Sequence, residues 1–202
     1  MCWIQTYSGR QFYPLAPRAT DVKLRDIAHS LSLICRFSGH CREFYSVAQH
    51  SVLVAHAVAR CGICYGASRG YVADVMAAGL LHDAHEAYIA DITSPVKKEL
   101  AGIDAIEQRI QQAIHEHFGL TPGADVLATV KHADRTACVT EARDLLGPTI
   151  HGWTIDYPAP WEDKIEPLAP VVAEREFLAL ACVVGLARPI VGEPHFLASV
   201  EE

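Results

Sequence analysis

Positive charge is scarce in this sequence: 17 Lys and Arg stand against 24 Asp and Glu, for a net charge of −7. That balance argues against a general nucleic-acid-binding surface and leaves room for a local basic pocket. Small molecules are the expected partners, not polymers. Long hydrophobic runs are missing too. The most apolar stretch, Phe177 to Ala187, stops at Arg188 and Pro189, well short of the roughly 20 residues that cross a bilayer. It reads as a buried helix, and no membrane contact is expected. The opening MCWIQTYSGRQ lacks the charged start and continuous apolar segment of a secretory signal, so the expected compartment is the cytoplasm. No internal repeat or low-complexity tract is present. The seven cysteines (2, 35, 41, 61, 64, 138 and 182) are an odd number, and several fall inside apolar helical patterns where a thiol acts as a small hydrophobe. A reducing compartment fits them. Cys61 and Cys64 form a lone CxxC with no second pair at zinc-finger spacing, and read as two thiols at a helix end.

What is there is a chain of 202 residues with half of them hydrophobic, enough for one domain with a substantial core and too little for two of ordinary size. The periodicity predicts an all-α fold. Residues 3 to 14, with β-formers around Ser8-Gly9-Arg10, allow a small N-terminal β-hairpin as an appendage. Asp21 is placed to cap a helix through Leu24, Ile27, Ala28, Leu31 and Leu33, and a break follows at residues 36 to 40. Ser46 is placed to cap the next helix, whose buried face reads Val47, His50, Val54, Ala57 and Val58. A third, over about Val72 to Tyr88, is apolar nearly all round until His82-Asp83, which makes it a candidate for the central helix. Leu100 to Phe118 and Ala124 to Leu146 form two more, ended by glycine and proline. Residues 147–169 carry prolines and no sustained period, so they read as a loop or lid. A last helix over about 170–187 completes a single domain spanning 1–202, with its core in about 20–146.

Polar residues inside these apolar stripes carry the chemistry. Asp134 lies between Val130 and Cys138 on an inner face, where a carboxylate is costly unless paired or bound to a metal. A salt bridge to Lys131, Arg135 or Arg143 is the plain alternative, as a hydrogen-bonded core histidine is for His50. The adjacent His82 and Asp83, at the end of a greasy helix, have little reason to be there without a shared partner. Two imidazoles and two carboxylates suit one divalent ion, with Mn, Co, Fe or Zn in the borderline range, and leave coordination positions open for water and substrate. Glu86, four residues after His82, falls on the same side of the expected helix. Asp91 lies just past it, where a loop can turn it toward the same cleft. His85, His115, His117 and His132 raise a two-metal alternative. At most one of His115 and His117 is expected to face any cleft, and surface or helix-end positions are the simpler reading for all four.

The order His50, His82-Asp83, Asp134, with LHDAHEAYIADITSPVKKE around the doublet and RFSGH...FYSVAQHSVLVA before it, resembles the HD-domain metal-dependent phosphohydrolases. The similarity runs over about residues 20 to 146. It is closest to the small nucleotide-hydrolysing members, the 5′-deoxynucleotidases and phage deoxynucleoside triphosphohydrolases. The resemblance implies a helical bundle in which His50, His82, Asp83 and Asp134 hold one divalent metal (Mn, Co, Mg, Fe or Zn). It implies that Glu86 orients or activates the attacking water and that Asp91 assists at the leaving oxygen. It also implies that Arg36 holds phosphate, with Phe37 where many relatives carry tryptophan and Lys97 as a further phosphate contact. The expected substrate is then a small nucleotide of deoxynucleotide metabolism, hydrolysed as monophosphate or triphosphate by a homo-oligomer. Two other functions share the pattern: an HD-fold di-iron oxygenase, which needs further histidine ligands, and a non-catalytic nucleotide-sensing module, which does not need Glu86 or Asp91.

Overall fold

Ile4–Gln5 (β1) and Gln11–Phe12 (β2) pair antiparallel, Ile4 opposite Phe12 and Gln5 opposite Gln11, in a computed structural model that describes residues 2–149 and 157–187. The hairpin is tied to the helices more firmly than an appendage would be. The backbone N–H and hydroxyl of Ser8 donate to the buried Asp26 carboxylate at 2.7 and 2.8 Å, and the buried Phe12 ring stacks on Tyr88 at 3.7 Å.

Among the described residues all remaining regular structure is helical, with the α-helices α1 (Leu24–Leu33), α2 (Val47–Ala59), α3 (Arg69–Leu80), α4 (Glu86–Ile89), α5 (Ser94–Lys97), α6 (Ile103–Phe118), α7 (Ala124–Leu145) and α8 (Pro170–Val183). The expected all-α fold with a small hairpin is therefore what the chain adopts. Ser46 caps α2 as expected, accepting from the Gln49 N–H at 3.1 Å. Asp21 does not cap α1. The helix starts after Lys23, and Asp21 instead pairs with Arg18 at 2.8 Å in a preceding 3-10 turn.

Helix α2 is the hub, packed by α1, α3, α7 and α8. The apolar α3 is not. Ile27, Leu31, Val47, Leu80, Ile114 and Phe177 belong to the main core around α2, while Val54, Val58, Val75, Val126 and Val130 close a second cluster between α2, α3 and α7. Gly79 governs the α2–α3 crossing. A Cβ there would lie 3.0 Å from the Ala55 Cα and 3.1 Å from Val58 Cγ2, a contact so tight that the helices would have to part by a few tenths of an ångström to admit it.

The continuous helix expected over 72–88 is broken. Helix α3 ends at Leu80 and α4 begins at Glu86, with a tight turn between them wound by three-residue hydrogen bonds (Ala84 N–H to Leu81 O at 3.1 Å, Glu86 N–H to Asp83 O at 3.0 Å). His82 and Asp83 thus stand in a turn, not on a helix face. Of the segment expected as a loop or lid, residues 150–156 lie outside the described residues. Ile165 seals a small cluster with Tyr45 and Leu145, and the Ile165 N–H donates to Asp144 Oδ2 at 2.9 Å. No helix among the described residues is long and apolar enough to cross a membrane.

Candidate metal centre

Three elements converge on one point. His50 comes from the first turn of α2, His82 and Asp83 from the turn after α3, and Asp134 from the middle of α7. Their ligand atoms lie within 4.8 Å of one another. His50 Nε2 is 3.2 Å from both His82 Nε2 and Asp134 Oδ1, and His82 Nε2 is 3.1 Å from Asp83 Oδ2. His50 is fully buried, whereas the Asp134 side chain is 35% exposed. The cluster is buried at its α2 side and meets solvent at its α7 side.

The far side of each imidazole fixes its tautomer. His82 Nδ1 lies 2.8 Å from the Gly79 carbonyl, which only accepts, and His50 Nδ1 lies 2.6 Å from Glu141 Oε1. Each Nδ1 therefore carries a hydrogen, and in the neutral rings both Nε2 atoms present lone pairs. Two lone pairs facing each other at 3.2 Å between two carboxylates repel unless a cation lies among them. In the bare protein that cation is a proton. Burial by itself would lower both histidine pKa values. Asp83 and Asp134 outweigh it and hold His82 well above its ordinary value, while Glu141 and Asp134 raise His50 against both burial and Arg36. Burial would raise Asp83 and Asp134 likewise, but the two histidines hold both below the usual carboxylate range. The donor set, two imidazole nitrogens and two ionised carboxylates with ring orientation fixed from behind, can hold a metal ion.

The chain matches no family model. It is 38% identical over 177 residues to YfdR of Escherichia coli K12, an alignment that covers 84% of this chain and 88% of YfdR. An uncharacterized protein of Rhodobacter capsulatus is 34% identical over 150 residues, covering 72% of this chain and 74% of its own length. The chain belongs to the YfdR family. YfdR itself is described as uncharacterized, so the chemistry of this YfdR-family member has to come from its own residues.

Four of the remaining expected residues gather around the cluster. Glu86 opens α4 and is buried, with Oε2 lacking any hydrogen-bond partner. Burial, then the Asp83 and Asp91 carboxylates, push its pKa well above the carboxylate range. Asp91 follows Ala90, whose backbone (φ 71°, ψ 166°) lies in a region that is essentially glycine's alone. Burial, with Asp83, raises Asp91 despite the nearby Arg36. Arg36 is buried beneath the cluster. Its loop is closed at the base by the Arg36 N–H donating to Tyr45 O at 2.9 Å, and Phe37 (φ 53°) packs its ring 5.5 Å from the guanidinium.

Lys97, on α5, pairs with Glu107 at 2.8 Å; burial would lower its pKa, but Glu107, with Glu86 and Asp83, raises it. Its charge is already matched by α6. His85 departs from its expected surface or helix-end position. It is buried against α6, with Nδ1 3.3 Å from Gln111 Oε1. His115 bonds Gln111 at 2.9 Å, His117 bonds the Ala19 carbonyl at 2.7 Å, and His132 is exposed. None of these joins the four-residue cluster.

One buried residue of the site is not among the expected site residues. Glu141 is fully buried on α7, and its Oε2 accepts from Arg36 Nε at 3.2 Å and from Nη2 at 3.1 Å, while Oε1 meets His50. Burial would raise its pKa, but Arg36 and His50 hold it below the ordinary value. The available signal was its spacing: Glu141 falls seven residues after Asp134 on the same apolar stripe, two turns along one face.

Proposed function

We propose that this protein is an HD-type metal-dependent phosphohydrolase acting on small nucleotides, by attack of water on phosphorus at the cluster of His50, His82, Asp83 and Asp134. The observation that carries the reading is the pair of imidazole Nε2 atoms 3.2 Å apart, flanked by Asp83 and Asp134. When bound, a divalent ion supplies a water of lowered pKa and neutralises charge on phosphoryl oxygens. The protein supplies the rest. Glu86, buried with a free carboxyl oxygen and a raised pKa, is suited to take a proton from the attacking water. Asp91, raised in the same direction, is suited to return one to the leaving oxygen. Arg36 Nη1 lies 3.7 Å from Asp83 Oδ2 and is the nearest cationic donor to the cluster for a phosphoryl group. Phe37, against the Arg36 guanidinium, and Lys97, within reach of the Glu86 and Asp83 charges, are further candidates for substrate contact.

A single ion per chain fits better than two. The one cluster of metal-binding character among the described residues contains these four side chains, and His85 and His115 are engaged with Gln111. His85 Nε2 has no hydrogen-bond partner but lies outside the cluster, and it is the absence, among the described residues, of any further histidine from that cluster that favours the hydrolase over a di-iron oxygenase. The presence of Glu86 and Asp91 favours it over a sensor. The test is phosphate release across a panel of ribo- and deoxynucleoside mono- and triphosphates with Mn²⁺, Co²⁺ and Mg²⁺, resolving phosphate from triphosphate. Turnover of at least one nucleotide that chelation abolishes and metal restores is expected. No release from any member with any metal would contradict the proposal.

A further inference from the structure

We propose that Glu141 is a positioning residue whose two oxygens hold His50 and Arg36 at once, so that metal loading and presentation of the arginine depend on one side chain. The inference rests on reading the four-residue cluster as a metal centre. Its basis is geometric. Oε1 accepts from His50 Nδ1 at 2.6 Å, and Oε2 accepts from Arg36 Nε and Nη2 at 3.2 and 3.1 Å. With that edge of the guanidinium engaged, Nη1 is the group left toward Asp83. Glu141 and His50 are fully buried and Arg36 nearly so, and water offers none of them an alternative partner. Helix α7 carries Glu141 and the ligand Asp134 two turns apart. One rigid element therefore sets both a ligand and the orientation of the opposing one.

Only a carboxylate satisfies this arrangement. It offers acceptors on both oxygens and no donor, which the N–H groups of His50 and Arg36 require. An amide offers one oxygen, and its NH₂ group must then face an N–H of either His50 or Arg36. Glu141→Gln is nearly isosteric and removes one acceptor without opening a cavity.

The experiment is calorimetric titration of the metal-stripped full chain with Mn²⁺, with far-UV circular dichroism and melting as controls for folding. Glu141→Gln is expected to bind Mn²⁺ about 10–100-fold more weakly, the usual effect of removing a group that orients a ligand. At saturating Mn²⁺ it is also expected to bind inorganic phosphate more weakly than wild type. A folded Glu141→Gln chain with the wild-type Mn²⁺ affinity overturns the proposal. Weakened Mn²⁺ binding with unchanged phosphate binding overturns its Arg36 half. If Glu141→Gln alone fails to fold, Arg36→Met/Glu141→Gln is compared with Arg36→Met/Glu141→Leu. The glutamine version, which keeps an acceptor for His50, is expected to bind Mn²⁺ at least about tenfold more tightly, and equal affinities overturn the proposal. Failure of the metal reading itself looks different, because the wild-type chain then takes up no Mn²⁺ at all.

Discussion

Glu86 and Asp83 stand three residues apart with opposite electrostatic loads. Burial pushes both carboxyl groups upward, yet His82 and His50 reverse that for Asp83, while Asp83 and Asp91 add to it for Glu86. On the proposed reading the first is fit to bind a cation and the second to exchange a proton. Glu86→Ala is accordingly expected to keep its metal while losing turnover by roughly 10²-fold or more, the scale of a general base. Elemental analysis beside phosphate release checks this, and joint loss of metal would instead make Glu86 a ligand. The four cluster residues were legible in the sequence because a histidine or aspartate inside an apolar stripe needs a partner. Glu141 meets the same criterion on the same stripe as Asp134, but its role rests on His50 and Arg36, which only the packing of α2 and the Arg36 loop against α7 brings to it. His85 was misjudged for a related reason: its burial depends on α6, a helix that its own segment does not reveal.

Element boundaries decide where these side chains point. Helices α1, α2, α6, α7 and α8 follow the apolar periodicity closely. The break between α3 and α4 does not, because Leu80, Leu81 and Ala84 continue the apolar pattern with neither glycine nor proline between them. What ends α3 is tertiary: Gly79 lets it press against α2, and the turn then delivers His82 to His50. Gly79→Ala should force the crossing apart, costing about 1–3 kcal/mol as an overpacked contact. Because the Gly79 carbonyl orients His82, it should weaken metal binding as well. Urea denaturation and Mn²⁺ titration measure the two effects. Ala90 makes the opposite case. Its backbone strain costs on the order of 1–3 kcal/mol, more than the roughly 0.5–1 kcal/mol that glycine loses through added chain entropy. Ala90→Gly should therefore raise stability by about 1 kcal/mol, seen as a higher urea midpoint. A lower midpoint would show that the turn before Asp91 is not strained.

Across the whole molecule, the centre lies where α2, the α3–α4 turn and α7 meet, so its charge state bears on global stability. In the metal-free chain the folded-state pKa of His82 stands well above its unfolded value near 6.5. Its stabilisation is thus complete below about pH 6.5 and fades as pH rises through the folded-state value. Asp83 and Asp134, held low, contribute above about pH 3.9 and lose their contribution as pH falls toward their folded-state values. The chelated protein should therefore have its highest Tm in mildly acidic buffer and lose Tm toward alkaline pH. Bound metal should offset that loss, since it replaces the proton between the imidazoles. A Tm for the chelated chain that is flat from pH 6 to 9 would contradict this assignment. The central claim is that four side chains from three elements hold one divalent ion. Counting metal per chain after dialysis against Mn²⁺, in wild type and in Asp83→Ala, tests it most directly. One equivalent in wild type and a small fraction of that in Asp83→Ala is the predicted result, whereas full occupancy in Asp83→Ala, or none in wild type, would contradict it.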